Sequence, residues 1–324
     1  MMLRPTHTVA VLAVAGLAAA GCAQAPSAAQ NYPSSTVRII TPFAAGGISD
    51  TTARVASQCL EKDLGGTFIV ENKDGGGGAV GMTEVAQAKP DGSTLSVVSV
   101  STAALVPLVT EGAKYEGASF EPISGVTLAP SVLVVKNDSP HRTAQDLLAA
   151  AKSENGGFTV AMPGSRGIFS LTTNAITNAG GPKFTNVPFE SNDKSVAAVL
   201  GGNSDSAYLS TSPNLLEQLR SGQLRALATG APQRLDFLPD VPTFAELGFR
   251  DLPDSTVNVS LVAPRGLDDK IEQRLADAMQ KCLKDPHTAD VLGKEFVRQD
   301  NPGPAVMREE FATSEASWRK AVGR

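Results

Sequence analysis

Three times along this chain, a short run of β-branched and apolar residues stops at a glycine-rich turn and gives way to helical periodicity. Residues 37–41 (VRIIT) run into Phe43, Ala44, Ala45, Gly46 and Gly47, and then into a helical stretch over 49–64. Residues 67–71 (TFIVE) meet four glycines at 75–78 before a helix over 79–88, and residues 159–161 meet Gly164, Ser165, Arg166 and Gly167. A chain that alternates strand and helix at this spacing forms βαβ units and a mostly parallel sheet, which makes it an α/β protein. Strand-like runs at 94–100, 131–135, 207–209, 224–229 and 257–264 continue the alternation, and two long amphipathic helices over 268–283 and 305–322 close it. The length, 324 residues, fits two α/β modules in tandem. The last helices have no strand after them, so packing back on the first module is the economical choice.

The first thirty residues stand apart. Arg4, an apolar run over 9–20 and then Gly21 and Cys22 read as an export signal over 1–21. The run is shorter than the roughly 20 residues a membrane-crossing helix needs. Cys22 follows Ala19, Ala20 and Gly21 as the lipidated cysteine of a bacterial lipoprotein follows its small residues; the alternative is an ordinary small-residue cleavage site with a chance cysteine. Residues 22–31 then form a tether carrying a lipid anchor. Two cysteines remain, Cys59 and Cys282, and they are either one disulfide or two buried thiols. His7, His141 and His287 are the only histidines, and no metal-ligand spacing joins them. A net charge of −5 with one Trp and three Tyr excludes the basic, aromatic face of a nucleic-acid binder.

Gly76, Gly78 and Gly81 satisfy G-x-G-x-x-G after a strand, but the next strand runs into Ser101, Thr102 and Ala103 without the acid that a dinucleotide ribose needs. No cofactor is expected. The turn around Phe43–Asp50 is more informative, because glycines at a strand-to-helix junction expose amides where a helix N-terminus favours an anion. Ser101 with Thr102, and Gly164, Ser165, Arg166 and Gly167, offer similar donors at two further strand ends, and open α/β sheets bind ligands at that edge. Asp50, the one acid inside a glycine turn, is either a general base or a first-turn residue favoured by the helix dipole. Neither a nucleophile elbow nor a pair of carboxylates is recognisable, so no catalytic residue can be assigned.

Several motifs in order carry a resemblance. They are Pro42-Phe43-Ala44-Ala45-Gly46-Gly47 with Asp50 and Arg54, Val70-Glu71-Asn72-Lys73, and Lys89-Pro90-Asp91-Gly92-Ser93-Thr94-Leu95. Leu200-Gly201-Gly202 with Asp205, Ser221-Gly222-Gln223-Leu224-Arg225, and Leu238-Pro239-Asp240-Val241-Pro242-Thr243 follow. Together they resemble the substrate-binding proteins of tripartite tricarboxylate transporters, the Bug or TctC family of extracytoplasmic solute receptors. The resemblance implies a two-lobed, periplasmic-binding-protein-like (type II) Venus-flytrap fold, with residues 32–128 and 256–324 in one lobe and 129–255 in the other. It implies a small organic carboxylate held between the lobes and passed to an integral-membrane permease. Phe43 to Gly47 with Asp50, Ser101 and Thr102 would face the ligand from one side, and Gly164 to Gly167, Phe189 and Ser210 from the other. Arg166 either pairs with a ligand carboxylate or points into solvent. Asn258, Ser170 and the pair Glu190-Ser191 stand where members of the family often carry Trp, His and Gly-Gly. A secreted enzyme on the same scaffold and a sensing receptor without transport are the competing readings.

Overall fold

The computed structural model describes residues 31–153, 157–300 and 302–323. The export signal and Cys22 lie outside them, as does all but the last residue of the tether. In chain order, β1 (Val37–Thr41) leads into α1 (Ile48–Leu64), and β2 (Phe68–Asn72) into α2 (Ala79–Ala86). Next come β3 (Thr94–Ser99), α3 (Val100–Ala104), α4 (Val106–Val109) and β4 (Phe120–Ala129). The middle of the chain runs β5 (Ser131–Lys136), α5 (Ala144–Ser153), β6 (Thr159–Pro163), α6 (Ile168–Asn178) and β7 (Thr185–Phe189). It continues through α7 (Asn192–Leu200), β8 (Ser206–Ser210), α8 (Pro213–Arg220) and β9 (Leu224–Thr229). Last are β10 (Val257–Pro264), α9 (Asp269–Lys284), α10 (Pro286–Leu292) and α11 (Pro304–Ala321).

These strands form two five-stranded sheets, ordered β2-β1-β3-β10-β4 and β7-β6-β8-β5-β9, each the centre of one lobe. Within each sheet one strand is reversed. β10 runs antiparallel to β3 and β4, and β5 antiparallel to β8 and β9. Each reversed strand is the first to enter its sheet after the chain crosses from the other lobe, once at Pro130 and once between β9 and β10. The C-terminal ends of β1, β2 and β3 therefore share one edge of the first sheet, and those of β6, β7 and β8 one edge of the second.

Period-two alternation explains why the first sheet is covered on both faces. Val37, Ile39, Leu95 and Val97 pack with Leu60 of α1 and Leu275 and Met279 of α9, whereas Ile40 and Val98 pack with Met82, Val85 and Leu105 on the other side. α9 is started by Asp268, whose side chain accepts from the Lys270 amide at 2.9 Å, and it lies along α1. A disulfide between Cys59 and Cys282, with Cα atoms 5.5 Å apart, joins the two helices. α11 buries Met307, Phe311 and Trp318 against the first lobe.

Elements absent from the sequence pattern include α3, α4, β4 and α10. The ten-residue strand β4 has no alternation to reveal it. Pro122 and Gly125 interrupt it, and its pairing with β10 shifts register twice. The helix α10, opened by Pro286 and capped by Asp285, lies between the two long C-terminal helices.

Both crossings are fastened to the second lobe by buried hydroxyls. Ser131 Oγ lies 2.7 Å from Tyr208 Oη and 2.5 Å from Ser255 Oγ, and the Tyr208 and Ser255 hydroxyls also bond to each other. Burial pushes the Tyr208 phenol up to about 12, so it stays neutral.

Candidate functional site

The turn between β1 and α1 is held open from within. Asp50 is buried at 4% exposure, and its Oδ2 accepts the Gly46 amide at 3.0 Å. Arg54 grips the same carboxylate through Nε and Nη2, both at 3.0 Å, and Asn72 Nδ2 bridges Asp50 Oδ1 and the Phe43 carbonyl at 3.0 Å each. Burial by itself would raise the Asp50 carboxyl, but these bonds outweigh it and hold it below the usual carboxylate range. Asp50 is thus spent on shaping the turn and has no role left as a ligand contact. Gly46 is likewise not a ligand donor, since its amide is taken and its φ of +91° serves the turn.

What the turn leaves free is specific. The first amide of α1 with a backbone acceptor is Thr51, bonded to Gly47 O at 3.0 Å. Among the described residues the amides of Ala44, Ala45, Gly47 and residues 48–50 have no acceptor, and Ala44 to Gly47 are exposed. They form a patch of unpaired donors at a helix N-terminus, where the dipole adds attraction for an anion.

The neighbouring loops close around this patch. Gly78 sits so near Thr102 Cγ2 that a Cβ there would overlap it, with the Phe43 ring and Pro42 in ordinary contact. Gly81 packs the same way on Pro42 and the Lys73 carbonyl. The glycines of the G-x-G-x-x-G run therefore serve loop packing. Thr102 is buried, with its hydroxyl 2.8 Å from Ser99 Oγ and its carbonyl accepting from Tyr115 at 2.9 Å. It is a structural residue rather than a ligand donor. Ser101 remains half-buried, 3.1 Å from Ser99 Oγ.

On the second lobe, Gly164 donates to the Phe189 carbonyl at 2.8 Å and Gly167 to Ser170 Oγ at 3.3 Å, so neither amide is available. The free donors there are Ser165, Arg166 and the first turn of α6, whose first backbone-bonded amide is Leu171. Arg166 is exposed and makes no ion pair or hydrogen bond among the described residues. Ser210 is buried and accepts from Asn192 Nδ2 through both Oγ at 2.9 Å and its carbonyl at 3.1 Å. Phe189 is half-buried and lines an open depression of about 450 Å³ with Pro188, Glu190 and Lys194. Ser191 caps α7 through the Lys194 amide, and Asn258 is tied to Glu310 of α11 at 2.7 Å.

The motifs contain Arg54 and Asn72 without giving them a role, and sequence reasoning missed Ser99 and Asn192; these four residues organise the loops. Asn72 and Asn192 each lie at or just beyond the C-terminal end of a strand, where a side-chain amide can bridge two turns, and that position was the available signal. The two edges meet. Ile48, next to Gly47, packs on a cluster that contains Leu216 of α8, five residues beyond Thr211.

Comparison with known proteins agrees with this architecture. The family model described as tripartite tricarboxylate transporter family receptor (TctC) matches residues 52–309. The chain is similar to protein BugT of Bordetella pertussis, at 34% identity covering 96% of each chain. It is similar to the structure of MatC from Rhodopseudomonas palustris with bound malate, with a TM-score of 0.79 and 26% identity over 90% of this chain and 100% of that one. The periplasmic binding protein BugD gives a TM-score of 0.76 at 27% identity, over 90% of this chain and 99% of that one.

Proposed function

Since this chain belongs to the tripartite tricarboxylate transporter family of receptors, we propose that it captures a small carboxylated solute between its two lobes and delivers it to a membrane permease. It is a solute-binding protein and not an enzyme. The observation that carries the carboxylate reading is the patch of exposed residues whose amides are unpaired, those of Ala44, Ala45 and Gly47, at the N-terminus of α1. Those donors favour an anion without a cationic partner, and closure of the lobes would exclude water and strengthen each bond. The bound malate of the MatC neighbour supports the same ligand class.

In this reading the first lobe comprises residues 32–128 and 256–324, and the second 129–255. Ala44, Ala45 and Gly47 hold one carboxylate with Ser101 beside them. Ser165, Arg166 and Phe189 approach from the second lobe. The protein works outside the cytoplasm, held to the membrane by a lipid on Cys22.

Calorimetric titration with malate, adipate and the uncharged diamide of malate tests this function. Binding of an acid without turnover, and none of the diamide, supports it; binding of the diamide alone, or consumption of the acid, overturns it. Mass spectrometry of the native protein checks the anchor, which fails if the mature N-terminus lies beyond Cys22.

A further inference from the structure

A second contact joins the lobes besides the two strand crossings. Phe296, at 1% exposure, is bound to the first sheet, because its carbonyl accepts from Leu128 at 2.8 Å and the Arg298 amide donates to Val126 O at 3.0 Å. Its ring stands edge-on to Phe237 of the second lobe, with centroids 5.9 Å apart. Buried Ala129, Leu216 and Phe296 form the centre of this cluster, and Ile48, Leu219, Phe237 and Val257 pack around it. Arg220 and Glu295 pair across the same boundary at 3.4 Å, and Gly293 lies against Pro213, the first residue of α8.

Ile48 is the member with a functional address. It is the first residue of α1, half-buried, and adjoins Gly47 and the unpaired amides. We propose that Ile48 is a positioning residue that couples the anion-binding turn of the first lobe to α8 of the second, so that the apolar cluster sets the lobe angle at which the ligand is received. This rests on the reading that the turn at α1 takes the ligand carboxylate.

The physical argument is one of populations. Leu216 and Leu219 sit on one body, Ile48 on the other, and the bodies are linked by two extended crossings. Rotation about the crossings pulls apart the cluster that Ile48 and Leu219 flank and returns apolar surface to water, which disfavours lobe angles that break it. A ligand that needs the two edges together binds in proportion to the fraction of protein already holding them so. Weakening the cluster lowers that fraction, and therefore lowers affinity by one factor for every ligand, whatever its chemistry. A residue touching the ligand would instead discriminate between ligands.

Ile48→Ala, Leu219→Ala and the double variant test the coupling, each first checked for folding by a thermal melt. Small-angle X-ray scattering of the ligand-free proteins and calorimetric titration with malate and with adipate are the readouts. The expected result is a larger radius of gyration in both single variants, with affinity for both acids reduced about three- to tenfold by a common factor. The double variant should lose no more than the weaker-binding single variant, because both side chains act through one contact. Unchanged scattering overturns the proposal, as does an affinity loss that differs between the two acids or adds fully in the double variant. If neither acid binds even the wild type, the functional reading fails, while the scattering still decides the coupling.

Discussion

The carboxylate of Asp50 accepts the amide of Gly46, four residues earlier, at 3.0 Å, and this one bond converts a glycine-rich stretch into a turn of fixed shape. The acid of the motif therefore works behind the exposed amides of the turn. Its negative charge is answered by Arg54 rather than presented to an anionic solute, which it would repel.

Replacing Asp50 with Asn should remove the charge-assisted bonds to Arg54 and loosen the turn. We expect a loss of about 1–3 kcal/mol in denaturant unfolding and at least tenfold weaker binding of malate. The pH dependence follows from the depressed folded value. The contribution of Asp50 is complete above its unfolded value of 3.8 and is lost as pH falls through the lower folded value. Melts between pH 6 and pH 2 should show the wild type losing its advantage over Asp50→Asn only at the acidic end.

Gly46 and Gly47 should respond differently to alanine. Gly46 has φ +91°, so Gly46→Ala strains the backbone by about 1–2 kcal/mol, visible in the melt. Gly47 has φ −82° with open space around the position of a Cβ, so Gly47→Ala should keep its stability within about 0.5 kcal/mol. Its methyl group would still crowd the approach to the free amides. Weaker malate binding in Gly47→Ala with an unchanged melt is the expected pattern, and unchanged affinity would move the ligand elsewhere.

Arg166 should act on binding alone. It is exposed and without an ion-pair partner among the described residues, so Arg166→Ala should leave the melting temperature unchanged. If it pairs with a carboxylate after closure, affinity falls by about 2–5 kcal/mol. A calorimetric loss below about 1.4 kcal/mol, or tenfold, would return recognition to the backbone donors.

The Cys59–Cys282 bridge closes a separation of 223 residues and joins α1 to α9. Cys59→Ser should cost about 2–5 kcal/mol in denaturant unfolding under oxidising conditions. Ligand affinity should change little, because the bridge lies on helices behind the first sheet. Equal unfolding midpoints with and without reductant would contradict this.

Strand, glycine turn and helix were legible in the sequence wherever the signal was local. The runs VRIIT and TFIVE, the glycines after them and the periodicity of α1 and α9 all act over a few residues, through propensity, φ preference and side-chain alternation. The family resemblance, also carried by local motifs, brought the two-lobed fold with it. Tertiary structure alone decided which amides are free. The turn at 43–47 offers several donors in sequence; Arg54, four residues on in the same helix, holds Asp50 locally, while Asn72 arrives from β2 to bridge Asp50 and the Phe43 carbonyl around the Gly46 amide that Asp50 accepts. The strand β4 was likewise invisible, because Pro122 and Gly125 break its pattern and its pairing with β10 supplies what its own residues lack. The contact of Ile48 with the Leu216 cluster brings together side chains more than a hundred residues apart. No local preference encodes such a contact; it exists because two sheets, joined by two crossings, place residues of both against one cluster.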